Sequence, residues 1–272
     1  LVKKGKVFLL GESDSGKTTF AKTLVTKAIQ KDIFVGWVDA DIGQSNIGPP
    51  TCIGLSLLSP KSPEFKISAL YFVGNTSPHG RFVPLIMGLK KLVDIASKES
   101  DLIVIDTTGA VTGEFGQTLK YQKILSCKPN YLLAFQKEKE LENIVDSIKN
   151  FNFLKVYFIE IQKNVRIRTR EERAKNRQEK FKLYFKNSKQ YKLTKKNYTF
   201  YPSLDFLPSK NIDNLIVGLK DSYGEFLALG ILMKEYDKEI DILTPFKDIE
   251  KTAVLEFGNI KINQDGEQLE YI

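Results

Sequence analysis

The sequence predicts an α/β domain, a mostly parallel sheet covered by helices, with a small β-rich module after it. Three observations carry this reading. Short apolar runs alternate with amphipathic stretches up to about residue 185, the order of a parallel sheet with crossover helices. From about residue 190 apolar runs follow one another across short polar turns, as antiparallel strands do. The 272 residues, 42% of them hydrophobic, suffice for one large domain and a smaller one.

The elements follow in order. Residues 6–10 form a short β run, and residues 18–30 carry Phe20, Ala21, Leu24, Val25, Ala28 and Ile29 as a helical stripe. Residues 34–38 read as a strand ending at Asp39-Ala40-Asp41, and after a Gly/Pro-rich loop residues 65–73 read as another. Helices are expected over 82–97, 114–126 and 141–149, and buried strands over 102–105, 131–135 and 154–159. The Lys/Asn/Pro-rich stretch 189–214 leads to β runs at 215–219, 226–236, 240–243 and 254–262. The expected division is therefore 1–189 and 190–272.

Composition excludes several chemistries. Cys52 and Cys127 are too few for a disulfide framework and lack zinc-ligand spacing. With His79 as the single histidine, no serine–histidine or zinc-hydrolase site forms without it. No apolar run reads as a membrane span or a signal peptide, so a cytoplasmic location and no membrane partner are expected. Charge is unevenly placed. Residues 151–200 hold 15 Lys and Arg against 4 Asp and Glu, whereas residues 201–272 hold 7 against 14. Concentrated positive charge draws polyanions by counterion release, while the acidic end suits a protein contact better than RNA.

Gly11-Glu12-Ser13-Asp14-Ser15-Gly16-Lys17-Thr18 matches G-x-x-x-x-G-K-[ST] between a β run and a helix, where a phosphate-binding loop must lie. Its backbone N–H groups turn inward around phosphate oxygens, and the helix N-terminus adds partial positive charge. Lys17 reaches the β/γ oxygens, Thr18 can ligate Mg²⁺, and Thr19 extends the nucleotide-binding run. ATP or GTP is the expected cofactor, with Mg²⁺. Asp106, ending an apolar strand before Thr107-Thr108-Gly109, can hold the magnesium shell. Asp39 and Asp41 end another strand and alternate to the same side. That suits one as metal ligand and the other as base for an incoming hydroxyl.

Arg166, Arg168, Arg170, Arg173 and Arg177 crowd into twelve residues. Thr169 and Glu172 make a capping box, so a helix should begin there, with Arg170, Arg173 and Arg177 on one face. A same-sign row repels itself unless an anion lies against it. Such a segment, about 163–185, can act as a lid over a transferring phosphoryl group.

Taken in order, Asp39-Ala40-Asp41-Ile42-Gly43-Gln44 with Gly48-Pro49-Pro50, Phe72-Val73-Gly74-Asn75-Thr76-Ser77-Pro78, Asp106-Thr107-Thr108-Gly109 and Arg170-Glu171-Glu172-Arg173 resemble the polyribonucleotide 5′-hydroxyl kinases. The resemblance runs over residues 6–185, and 215–262 is similar to the C-terminal module of prokaryotic relatives. It implies a P-loop NTPase fold and transfer of a γ-phosphoryl group from ATP or GTP to 5′-OH ends of RNA, sometimes DNA. It also implies Asp41 as the hydroxyl-activating carboxylate, and Lys17, Arg173 and Arg177 as catalytic groups. Acceptor contacts are implied at Gln44, Thr76, Ser77, Thr107, Thr108, Gly109, Arg166 and Arg170. Ala110 departs from the pattern, because eukaryotic relatives carry there a Trp that stacks on the terminal base. Two rival readings are an NTPase switch or chaperone that hydrolyses its nucleotide, and a nucleotide-bound, non-catalytic RNA-processing scaffold. Trp37, Cys52 and Cys127 read as core, and Arg81 and His79 as loop residues near the acceptor segment.

Overall fold

The computed structural model describes residues 4–161, 165–207 and 211–271, so residues 163 and 164 of the expected lid lie outside the described residues. The chain divides into two compact units, Leu1–Gly48 with Ile53–Tyr71 and Pro78–Thr169, and Pro49–Cys52 with Phe72–Ser77 and Arg170–Ile272. The expected boundary after residue 189 thus differs from the contact boundary, which assigns the arginine helix and two short earlier segments to the second unit. Among the described residues no helix is long and apolar enough to cross a membrane.

In chain order, and apart from the end residues Cys52 and Phe72 of two strands, the first unit supplies β1 (Gly5–Gly11), α1 (Lys17–Ile29), β2 (Val35–Ala40), β3 (Cys52–Leu58), β4 (Ala69–Phe72), α2 (Phe82–Glu99), β5 (Leu102–Thr107), α3 (Gly113–Cys127), β6 (Tyr131–Gln136), α4 (Glu142–Ile148) and β7 (Lys155–Glu160). They form a seven-stranded sheet in the order β4-β3-β2-β5-β1-β6-β7. The pairs β1–β5, β2–β5, β1–β6 and β6–β7 are parallel. Such a sheet is buried on both faces, and accordingly β1, β2 and β5 read as near-continuous apolar runs. Val7, Leu9, Val25, Trp37 and Val104 belong to one buried cluster.

Three expectations needed correction. Cys52–Leu58, expected as loop, is β3 and pairs antiparallel with β2; the flanking Gly and Pro masked a run buried on both faces. The strand expected over 65–73 is only Ala69–Phe72. The strand expected over 154–159 is β7, an exposed edge and not buried core. Among the described residues no strand pairs beyond it in the sheet order.

The second unit contains α5 (Arg170–Phe185), β8 (Lys189–Thr194), β9 (Thr199–Tyr201), β10 (Leu215–Lys220), β11 (Phe226–Glu235), β12 (Glu239–Thr244), β13 (Val254–Ile262) and β14 (Gln268–Tyr271). Its sheet runs β14-β13-β10-β11-β12-β8, and the core pairs are antiparallel. Helix α5 begins at Arg170, directly after the expected cap Thr169. It buries Phe181 and Phe185 and is joined to the sheet where the Leu229 N–H donates to Tyr184 Oη at 3.0 Å. A Cβ on Gly266 would lie 2.6 Å from Gln178 O, so glycine permits this close approach to the helix.

Candidate active site

Strand register assembles the site in the first unit. Asp39 lies opposite Asp106 in the β2–β5 pair, and Phe8 lies opposite Ile105 in the β1–β5 pair. The carboxyl ends of three adjacent strands, β5 at the centre of the sheet with β2 and β1 on either side, therefore deliver Asp39, Asp106 and the loop beginning at Gly11 to one edge. Ligands bind at this place in open α/β sheets.

The loop turns back at Gly16, which caps α1 at φ 91° without a side-chain cap. This left-handed conformation favours glycine, and the first N–H groups of α1 are left for an anion. Lys17 is buried, and its ammonium donates to Gly11 O at 2.9 Å, Glu12 O at 2.5 Å and Ser15 Oγ at 3.2 Å. Burial lowers its pKa, opposed by Asp106, Asp41, Asp14 and Glu12. Thr19 is exposed on the first turn of α1.

Thr18 Oγ1 donates to Asp106 Oδ2 at 2.6 Å. Asp106 is buried, and its Oδ1 has no hydrogen-bond partner among the described residues. Burial raises its pKa, against the Thr18 hydroxyl and the Lys17 charge. An orphaned buried carboxylate oxygen beside a threonine hydroxyl is a hard-oxygen donor set, which suits Mg²⁺. Asp39 is used differently. Its Oδ1 accepts the Asp41 N–H at 3.0 Å, and its Oδ2 accepts those of Asn46 and Ile47. The carboxylate thus shapes the loop 41–47, and burial, then Asp106 and Asp41, push its pKa up to about 7. Asp41 is half-buried, and its Oδ1 accepts the N–H groups of Gly43 and Gln44 at 3.1 and 3.0 Å, which fixes the carboxylate's direction.

Two features of the site escaped the sequence reading. Asp14, expected among nucleotide contacts, has its carboxylate held by Arg168: Nε and Nη2 reach Oδ1 at 2.8 Å, and the Arg168 N–H reaches Oδ2 at 3.0 Å. Arg168 Nη1 also reaches Gln44 Oε1 at 3.4 Å, so one guanidinium ties the phosphate loop to the Asp39–Gln44 segment. The second feature lies outside the nucleotide and metal contacts: α3 carries two fully buried lysines, Lys120 and Lys123. Among the described residues Lys123 Nζ has no hydrogen-bond partner, and burial lowers its pKa to about 8. The two lysines share the buried stripe of α3 with Gly116, Leu119, Ile124 and Cys127, and two charged residues on that stripe erase the apolar signal that would mark it in the sequence.

Register and turns bring together Lys17, Thr18, Asp39, Asp41, Gln44, Asp106, Thr107, Thr108 and Gly109. Arg166 is exposed in the same unit. Thr76, Ser77, Arg170, Arg173 and Arg177 belong to the second unit. There Thr76 Oγ1 lies 3.1 Å from Tyr271 Oη and 3.4 Å from Gln268 Oε1. Arg170 is exposed, whereas Arg173 and Arg177 are half-buried, and Arg177 Nε has no hydrogen-bond partner among the described residues.

The profile of the mRNA cleavage and polyadenylation factor CLP1 P-loop family matches residues 11–187. The chain is 32% identical to a polyribonucleotide 5′-hydroxyl-kinase of Methanocaldococcus jannaschii, over 97% of this chain and 89% of that protein. It is 31% identical to a kinase of the same description from Pyrococcus furiosus, over 99% and 91%. Among solved structures, Clp1p in the Clp1p–Pcf11p complex superposes with a TM-score of 0.72 at 13% identity, covering 94% of this chain and 74% of that one, which shows a shared fold.

Proposed function

The chain belongs to the CLP1 P-loop family, and from that premise we propose that it is a polynucleotide 5′-hydroxyl kinase, transferring the γ-phosphoryl group of ATP or GTP to the 5′-OH end of RNA, with DNA ends as a second acceptor. The observation that carries this reading is the Thr18–Asp106 contact at 2.6 Å with Asp41 beyond the neighbouring strand end. A nucleotide-and-metal cradle beside an oriented, partly open carboxylate suits transfer to a hydroxyl.

The phosphates lie on the loop amides and the α1 N-terminus, and Lys17 exchanges its loop carbonyls for the γ-phosphate. Thr18 and Asp106 would hold Mg²⁺, which when bound neutralises charge on the phosphate oxygens. Asp41 takes the proton of the 5′-hydroxyl, and Asp39 holds the loop that aims it. The turn at Thr107–Gly109, with Gln44, Thr76, Ser77, Arg166 and Arg170, serves the acceptor, and Arg173 and Arg177 serve the transferring group. The acidic stretch 201–272 is the surface for a protein contact. Incubating the protein with γ-labelled ATP and 5′-OH RNA and DNA oligonucleotides of equal sequence tests the reading. Phosphate release that ignores the acceptor would favour the hydrolytic rival.

The raised Asp39 pKa makes metal–nucleotide binding pH-dependent. Below about pH 7 Asp39 keeps its proton in the empty cluster, and a cation beside Asp106 favours its loss. Apparent affinity should therefore rise with pH until about 7 and then level off. Titration calorimetry in two buffers of different ionisation enthalpy reads the released proton, and Asp39→Asn should release fewer. Equal release from that variant and the parent assigns the proton elsewhere.

Acceptor binding should weaken steeply with salt. For a single strand the log–log slope is about −0.7 per phosphate contacted, and roughly three to five contacts are expected from the basic block at 151–200. An oligonucleotide affinity independent of salt removes nucleic acid as the partner of that block.

A further inference from the structure

Lys120 is a lysine on a buried helix face. Lysine is almost never fully buried unless its charge is paired, because desolvation of the ammonium is costly. Burial here pushes it well below the ordinary lysine range, with repulsion from Lys123 and Lys17 adding and Asp41 and Asp106 opposing. Among the described residues its hydrogen-bond partners are a hydroxyl and a carbonyl, not a carboxylate. Lys120 Nζ donates to Thr107 Oγ1 at 2.8 Å and to the Thr108 carbonyl. Thr107 Oγ1 in turn donates to Leu9 O at 2.9 Å, two residues before Gly11 on β1. The relay runs from α3 through the end of β5 to the strand that carries the phosphate loop.

The turn held in this way touches that loop. A Cβ on Gly109 would lie 2.1 Å from Ser13 N and 2.3 Å from Ser13 Oγ, so the two backbones are in direct contact. A shift of the turn by a few tenths of an ångström must move the loop or open the contact. A face that only had to be covered would be served by leucine or methionine, with no ammonium to desolvate. The lysine's donors fix a backbone carbonyl and a hydroxyl at the edge where the acceptor is expected.

We propose that Lys120 is a positioning residue that locks the Thr107–Gly109 turn against the phosphate loop and so sets the acceptor side of the transfer site. The catalytic part of this inference rests on the kinase reading; the locking of the turn does not. Lys120→Met keeps side-chain length and removes the donors, and Lys123→Met removes a buried lysine of the same helix that lies outside the relay. Hydrogen exchange at Thr108, Gly109 and Ser13 should rise about tenfold or more in Lys120→Met, the loss of a buried hydrogen-bond donor being the cause. Acceptor kcat/KM should fall by a similar factor, on the order of tenfold, with nucleotide Kd little changed. Lys123→Met should leave the exchange and the acceptor kcat/KM as in the parent. Parental exchange and kcat/KM in Lys120→Met, or equal losses in both variants, overturn the proposal. Should Lys120→Met not fold, Thr107→Val cuts the same bond from its other end, and parental exchange at Thr108 and Ser13 there also overturns it. If the parent protein transfers nothing to 5′-OH ends, the kinase reading fails while the exchange comparison still decides the role of Lys120.

Discussion

Lys17→Ala is expected to abolish phosphoryl transfer while leaving the fold in place. The loop amides and the α1 N-terminus remain in the variant, so phosphates still have their cradle. The mobile charge that follows the γ-phosphoryl group is lost. A single donor aimed at developing charge is worth about 2.7–4 kcal/mol, or 10²–10³ in rate. Lys17 carries a full charge in a buried site, so its loss should lie at or above the upper end of that range. The cost to stability should be small. Removing the ammonium frees Gly11 O and Glu12 O of a partner, but it also removes a buried charge that burial already disfavours. Single-turnover transfer, nucleotide Kd and thermal unfolding on one preparation test this. Transfer at the parental rate from folded Lys17→Ala protein would falsify the assignment of this loop.

Asp41→Asn should separate binding from chemistry. An asparagine Oδ1 can accept the same Gly43 and Gln44 N–H groups, so the loop keeps its shape. What disappears is the proton acceptor and one negative charge near the phosphates. The variant should bind nucleotide with Mg²⁺ as well as the parent or better, and general-base loss should lower transfer by about 10²–10⁴. Asp106→Asn should fail in the opposite order, losing metal–nucleotide affinity first, because it alters the carboxylate that accepts Thr18. If Asp41→Asn instead loses nucleotide binding while transfer per bound nucleotide stays normal, Asp41 is a metal-site residue. Asp39 would be the next base candidate, although its two oxygens already accept three backbone N–H groups.

The phosphate loop was legible because its function is local. Eight consecutive residues carry the glycine at the left-handed turn, the lysine and the threonine, and no distant partner is needed to recognise them. The carboxylates at strand ends were legible because a strand's apolar run shows where it stops. Period and turn chemistry likewise revealed the alternating β and α elements and the change of texture near residue 190. Strand β3 was missed because Gly48, Pro49 and Pro50 ahead of it read as loop, whereas pairing with β2 makes the following residues a strand.

By itself the sequence determined the fold class, the nucleotide loop and the acidic strand ends, all of which depend on neighbours within a few residues. Only the tertiary structure decided which carboxylate meets Thr18, that Asp39 accepts backbone N–H groups of the loop after it, and that Asp14 is held by Arg168. It also decided that two lysines of α3 are buried, a place where composition would put leucine. These depend on residues brought together by strand register and helix packing from up to 154 positions apart. Hydrogen bonding is short-ranged and directional, so no pattern along the chain states which distant partner will lie within 3 Å.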